Sequence, residues 1–260
     1  MADTDLAARP LTDAHCHILP ELDDGPRSEE QALAMLRIAE RDGIATIVAT
    51  PHSHHARAEA VLHGVERLNR VAHAQGIAVA VVPGHEVRIG PGIVERQRDG
   101  RVLTLNGGPW LLIELYLHDE WPLRLVERAL DRLLDAGLSP LLAHVERYPF
   151  VQRDSSALLP LIERGIPMQV NASAFGYREQ DVERVTAERL LKSRMAHVIA
   201  SDAHNPGYRP PRLRPALAAA EALCGAEHVR WMLDAAETIV AGGALSLPEP
   251  WQGDAHVQPD

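Results

Sequence analysis

IATIVATPH, residues 44–52, decides how this chain folds. A glycine precedes it, β-branched and small apolar residues fill it, and a histidine closes it. A short run without polar alternation reads as a strand covered on both faces, the pattern of a parallel sheet. Runs of the same kind recur at 77–84 (IAVAVVPG), 110–116 (WLLIELY), 139–144 (SPLLAH), 166–171 (IPMQVN) and 197–202 (HVIASD), with LTDAHCH (11–17) as the first. Helical patterns separate them, over 29–42, 57–75, 122–137, 154–164, 178–194 and 212–223. Gly43, Gly76, Gly137 and Gly165 follow helices as C-terminal caps do, and Ser28 before Glu29 and Glu30 opens one. Seven strand–helix units in one chain predict a single-domain TIM-like (β/α)7 barrel over residues 11–247. Residues 1–10 and 248–260 are polar or proline-rich and are expected to be flexible tails.

The totals agree with one large domain. Of 260 residues 46% are hydrophobic, enough for a sizeable core, and only 4% are aromatic, so that core is built mainly from Ala, Leu, Val and Ile. A formal charge of -10 argues against nucleic acid and anionic membranes as partners. Cys16 and Cys224 make no disulfide framework. No basic segment leads into an apolar run at the N-terminus, and no window approaches the length of a membrane span, so a cytoplasmic protein without membrane insertion is expected.

Chemistry collects where the strands stop. His15 and His17 end the first; His52, Glu86, Glu114 and His144 stand at the ends of later ones; Asp202 and His204 follow the last. In an α/β barrel all these ends meet at one mouth. Residues i and i+2 share a strand face, so His15 and His17 point one way and Cys16 the other; Asp202 and His204 repeat the device. One His at a strand end is ordinarily a hydrogen-bonded residue, but six strand ends bearing ligand-type side chains predict a cluster of two or three divalent cations. Imidazole and carboxylate donors without thiolate suit Mn, Fe or Zn. Arg147 and Arg209 follow strand ends and could overhang the mouth as phosphate-binding groups. His63, His73, His118 and His228 lack such a context; His54, His55 and His85 adjoin it out of phase. Cys224 and Arg230 have the Cys-x5-Arg spacing of thiol phosphatases, but Cys224 ends an alanine-rich helix and Glu227 would sit in the phosphate nest, so the spacing is read as chance.

These motifs, DAHCHILPELDDG (13–25), IVATPH, GHEVRI, LLIEL, LAHVERY, QVNAS and IASDAHN with RPP, resemble the PHP (polymerase and histidinol phosphatase) superfamily. Within it the chain is similar to the capsular and exopolysaccharide protein-tyrosine phosphatases of the CpsB/CapC type. The resemblance implies a distorted barrel and three metals: one on His15, His17, Glu86 and Asp202, a second sharing Glu86 with Glu114 and His144, a third on Asp24, His52 and His204. It implies phosphate contacts from Arg147 and Arg209, manganese as activator (with Fe, Co or Zn as substitutes), and attack by metal-bound hydroxide. The implied substrate is the phosphotyrosine tail of a bacterial tyrosine kinase that controls polysaccharide export. Asp23 is read as a loop-structuring neighbour. The rival readings are a small-molecule phosphatase such as histidinol-phosphate phosphatase, and a regulator that binds the kinase tail without turnover. An amidohydrolase would need a bridging lysine on a middle strand, and the sole lysine, Lys192, lies in a helical stretch.

Overall fold

The computed structural model describes residues 5–116, 122–176 and 178–250. Its strands are β1 (Leu11–Cys16), β2 (Ile44–Ala49), β3 (Ala80–Pro83), β4 (Glu86–Arg88), β5 (Trp110–Glu114), β6 (Ser139–Leu142), β7 (Gln169–Asn171) and β8 (Val198–Ala200). All pair in parallel, as β1–β2–β3, β4–β5–β6 and β7–β8. Single-residue bridges, Cys16 with Ala203, His52 with Glu86 and Leu142 with Met168, join the three sheets into a ring. The ring has the seven expected positions because β3 and β4 are two pieces of one. Gly84 lies at the break. A Cβ there would come within 2.9 Å of Val48 Cγ1 and 3.0 Å of Leu105 Cδ2, so only glycine lets the chain press this close to β2 before turning on to β5.

The helices follow from local signals. Ser28 Oγ accepts the Gln31 N–H, Glu29 and Glu30 occupy the first turn, and Gly43 ends the helix Glu29–Asp42 in the left-handed region at φ 84°. Helices Ala58–Ala74, Leu123–Asp135, Val182–Lys192 and Arg214–Cys224 lie within or near their expected spans. The stretch 154–164 differs: it is a 3-10 turn (Ser155–Leu158) running into a short helix (Leu159–Ile162), with a proline, Pro160, at its start. Helices Ile93–Arg98, Pro149–Arg153 and Ala226–Val240 were not expected.

The last of these matters most. Ala236, Ile239 and Val240 pack into the barrel interior with Ala14, Val48, Leu105, Trp110, Leu112, Leu141, Ala143 and Val198. Trp110 Nε1 donates to the Gly243 carbonyl at 2.8 Å, and Asn106 Nδ2 to that of Val240 at 3.1 Å. The final helix therefore stoppers the end of the barrel opposite the mouth. A second, larger apolar cluster lies between the strands and the surrounding helices and includes Leu111 and Ile113 of β5. On β5 the period of two thus faces Trp110, Leu112 and Glu114 inward, apolar below and ionisable at the top.

The N-terminal segment departs from a free tail. Asp5–Ala8 form a helical turn, Arg9 pairs with Asp234 (2.6 Å) and Glu237 (2.9 Å), and Arg214 donates to the Leu6 and Arg9 carbonyls. Residues 1–4 and 251–260 of the expected tails, and His118, lie outside the described residues. Among the described residues no helix is long and apolar enough to cross a membrane.

Candidate metal centre

The strand ends bring all nine candidate ligands to one mouth, and eight of the nine are withdrawn from solvent. His15, His17, Glu86, Glu114, His144, Asp202 and His204 are buried, His52 is partly buried, and Asp24 reaches in from the surface. Three groups of donor atoms lie within 4.8 Å of one another: His17, Asp24, His52 and His204; His15, His17 and Asp202; and His52, Glu86 and Glu114. Glu86 is central. Its Oε2 is 2.9 Å from His52 Nδ1, 3.3 Å from His17 Nε2 and 3.6 Å from His15 Nε2, while Oε1 is 2.9 Å from His144 Nε2. Asp24 Oδ1 is 3.3 Å from His204 Nε2 and 3.7 Å from His52 Nε2. His144 Nε2 is 3.9 Å from Glu114 Oε1.

Backbone geometry aims two of these side chains. His144 follows the inward-facing Ala143 and would point out of the barrel in a regular strand. It sits instead at φ 34°, ψ 51°, and Asp202 at φ 48°. Left-handed backbone at non-glycine residues is uncommon and clusters at functional sites.

The supporting hydrogen bonds fix which imidazole nitrogens are free. The backbone N–H of His144 donates to Gln169 Oε1 at 2.9 Å, so that oxygen is an acceptor. His15 Nδ1, 3.1 Å from the same oxygen, must then carry its proton, which leaves the Nε2 lone pair facing the cluster. His17 Nδ1 donates to Asp23 Oδ2 at 2.6 Å, with the same result at its Nε2. His204 Nδ1 donates to the Asp202 carbonyl at 2.9 Å and turns Nε2 toward Asp24. The two lone pairs of His15 and His17, 3.3 Å apart, thus meet Glu86 Oε2 and Asp202 Oδ1, at 3.3–3.6 Å from the rings. Four acceptors converge with no donor among them. This arrangement fits a cation, and the acceptors behind the rings, the Asp23 carboxylate for His17 and the Gln169 amide oxygen for His15, are the usual outer support of a metal site. Both cysteines stand outside the donor set: burial pushes the Cys16 thiol well above its ordinary value and the Cys224 thiol up to about 11.

The electrostatics point the same way. Burial alone would raise the Glu86 carboxyl, yet His15 and His144 hold it well below the carboxylate range. Asp202 behaves alike, with His15 and Arg209 overcoming the cost of burial. Burial disfavours charge on His15, but Asp202 and Glu86 raise its pKa; Asp23 and Glu86 do so for His17. The cluster therefore attracts positive charge, as protons when nothing else supplies it.

At the rim, Arg209 Nη2 donates to Asp202 Oδ2 (2.6 Å) and to its carbonyl (2.8 Å), while Arg147 Nη1 is 3.8 Å from Oδ2. Both guanidinium groups remain partly exposed. Arg88 Nε donates to Glu114 Oε2 at 3.2 Å.

Several supporting residues were not assigned from sequence. Asp23 is more than a loop former: besides His17, it accepts the backbone N–H groups of His52 and Gly25. At Gly25 a Cβ would lie 2.6 Å from the His17 carbonyl, so glycine lets this loop fold back onto the ligand strand. Gln169 Nε2 donates to Asn171 Oδ1, and Asn171 Nδ2 to Asp202 Oδ2. Asp13 accepts from Ser201 N–H and Oγ and ties β1 to the end of β8. The stretch QVNAS signalled Gln169 and Asn171 only as a motif, because polar residues inside a strand do not reveal which ligands they face.

The chain is similar in sequence and fold to known proteins. Residues 11–240 match the family described as capsular polysaccharide synthesis, CpsB/CapC. The tyrosine-protein phosphatase YwqE of Bacillus subtilis (strain 168) is 31% identical over 244 residues, covering 92% of this chain and 95% of its own. The tyrosine-protein phosphatase CpsB of Streptococcus pneumoniae is 28% identical, covering 79% and 88%. Crystal structures of YwqE and CpsB, described as unique metal-dependent tyrosine phosphatases, include a chain that superposes with a TM-score of 0.85 at 30% identity, over 93% of this chain and all of that one. A lactonase from Listeria monocytogenes (TM-score 0.58, 10% identity) shares the fold alone.

Proposed function

Since the chain belongs to the CpsB/CapC family, we infer that its mouth hydrolyses phosphotyrosine in a metal-dependent reaction. The single observation that carries this reading is the convergence of His15, His17, Glu86 and Asp202 acceptors, with the protonated ring nitrogens turned outward, beneath two partly exposed arginines.

His15, His17, Glu86 and Asp202 would hold one cation, Glu86, Glu114 and His144 a second, and Asp24, His52 and His204 a third, with Mn2+ as the expected metal. Bound divalent ions supply Lewis acidity and lower the pKa of a coordinated water toward about 7. Arg147 and Arg209 bind and orient the phosphoryl oxygens from the open side and neutralise charge that grows during transfer. Asp202 holds Arg209 in place and accepts from Asn171, so the guanidinium is positioned before substrate arrives. Asp23 and Gln169 keep His17 and His15 in one tautomer. The leaving phenolate, with a pKa near 10, needs less protonation than an alkoxide. The substrate is the phosphotyrosine segment of a tyrosine kinase governing polysaccharide export, and the compartment is the cytoplasm.

The test is phosphate release by purified protein from a phosphotyrosine peptide, p-nitrophenyl phosphate and histidinol phosphate. Turnover with Mn2+, loss in EDTA and indifference to thiol alkylation are expected, with the aryl esters preferred. Turnover of none of the three with Mn2+ present would falsify the enzyme reading; preference for histidinol phosphate would transfer it to a small-molecule phosphatase.

A further inference from the structure

Beside the metal centre, on the same side of the barrel, lies an open cavity of about 610 Å3. The chain leaving β2 forms one wall, from Ser53 through Arg57, and the end of helix Ile93–Arg98 with the turn after it forms the other, with Arg96 and Arg101. The first of these segments follows the end of β2, so the cavity adjoins the mouth. Its link to the ligands is direct: the Ser53 N–H donates to the Glu86 carbonyl at 2.9 Å, and the His54 ring lies 5.2 Å from that of His52.

Three arginines converge here in a chain whose net charge is -10. Among the described residues Arg57 and Arg96 pair with no carboxylate, and the buried Nε of Arg96 has no hydrogen-bond partner. Arg101 pairs only with the exposed Asp99, at 2.8 Å. The cavity's one carboxylate, Glu59, is exposed and lies 4.0 Å from His63. The wall is preformed, because the N–H groups of Arg101 and Val102 donate to the Arg96 carbonyl at 2.8 and 3.2 Å. Arg57 stands at the start of the helix Ala58–Ala74 without a side-chain cap, so the first-turn N–H groups add to the positive potential.

We propose that this cavity is a subsite for an anionic side chain of the substrate peptide, adjacent in sequence to the phosphotyrosine. The proposal rests on the phosphotyrosine reading of the metal centre and specifies the substrate that centre prefers. An extended peptide spans about 3.3–3.6 Å per residue, so a side chain one to three residues from the phosphotyrosine reaches from the ligands to the cavity. The anion is a carboxylate or a second phosphate; either takes a guanidinium fork in the same way.

The experiment compares three peptides that differ at the flanking positions, carrying Glu, phosphotyrosine or Ala, on wild type and on the double variant Arg57→Ala/Arg101→Ala. The expected result is kcat/KM about tenfold higher for a charged flank than for Ala, the size of one or two charge-assisted contacts. The preference should fall with added salt and fall to about twofold or less in the double variant, while p-nitrophenyl phosphate turnover is unchanged. Whichever of Glu and phosphotyrosine is preferred identifies the anion. Equal kcat/KM for all three peptides, with p-nitrophenyl phosphate still hydrolysed, overturns the subsite and leaves the phosphatase standing. If no ester is hydrolysed, fluorescence polarisation of the same labelled peptides decides: tighter binding of charged flanks, lost in the double variant, supports the subsite, and equal binding overturns it.

Discussion

The two ends of the barrel interior are built from the same inward-facing positions and do opposite things. On β5 the column runs Trp110, Leu112, Glu114, from the end stoppered by helix Ala226–Val240 to the mouth. Below, the side chains are apolar, the Trp110 N–H finds a carbonyl, and burial stabilises the fold. Above, Glu86 Oε2 and Asp202 Oδ1 crowd against the imidazole lone pairs of His15 and His17, an arrangement that positive charge completes. The lower half carries the stability, and the upper half carries the binding. Mutations should therefore separate into two classes, folding at one end and chemistry at the other.

The largest contrast is expected for Glu86→Gln. It should lower phosphate release by more than about a hundredfold, beyond the range for residues that merely support a ligand. It should also remove most of the thermal stabilisation that Mn2+ gives, because the carboxylate central to the candidate ligand set is lost. Phosphate release and thermal melts in EDTA and with Mn2+ check both; a variant that Mn2+ stabilises as much as wild type would break the contrast. In the wild type, Mn2+ at about 100 times its Kd should add about 2.7 kcal/mol.

Leu112→Ala, two residues down the same column, should do the reverse. A fully buried leucine truncated to alanine costs about 2–5 kcal/mol, read as a lower denaturant midpoint, with kcat/KM per folded molecule close to wild type. Gln169→Leu should fall between the two. It frees the His15 tautomer and strands the His144 N–H, so Mn2+ affinity drops about 10–100-fold by titration while secondary structure is retained.

A smaller effect belongs to His197, buried at the start of β8, whose Nδ1 accepts the Met168 N–H at 3.1 Å. Burial lowers its pKa from 6.5 to about 3, so the folded protein keeps it neutral. The unfolded chain takes up a proton below about 6.5, so this contribution is complete above that pH and is lost as pH falls toward 3. His197→Gln should flatten the acid limb of stability against pH. Cys224→Ser should change nothing beyond about 0.5 kcal/mol, in stability or in turnover. Cys224 lies at the C-terminal end of its helix, where carbonyls gather, and its Sγ is 3.0 Å from the Ala220 carbonyl. That environment repels a phosphate.

The same contrast explains what could be read from sequence. The apolar runs mark the strands because both faces are covered, and the ligand types at their ends stand out because charged residues there have no packing role. The split of β3 from β4 was hidden, since Gly84 reveals its purpose only against Val48 and Leu105. Helix Ala226–Val240 was missed because it presents a broad buried face, from His228 and Val229 to Ile239 and Val240, in place of a narrow stripe. His144 shows the limit plainly. Its position after Ala143 is on the wrong side of a regular strand, and only the left-handed backbone turns it inward. Asp23, Gln169 and Asn171 act through other residues, and no spacing in the sequence records whose nitrogen they face.

The three one-residue seams that close the ring all lie against the metal centre. Cys16 and Ala203 are each flanked by two candidate ligands; His52 and Glu86 are candidate ligands themselves; Leu142 lies two residues before His144, and Met168 adjoins Gln169. Cations gripping these side chains would rivet the staves of the cylinder together where hydrogen bonding is thinnest. Stripping them should let the three sheets breathe apart, so amide exchange would quicken first along those joints and last in the stoppered floor.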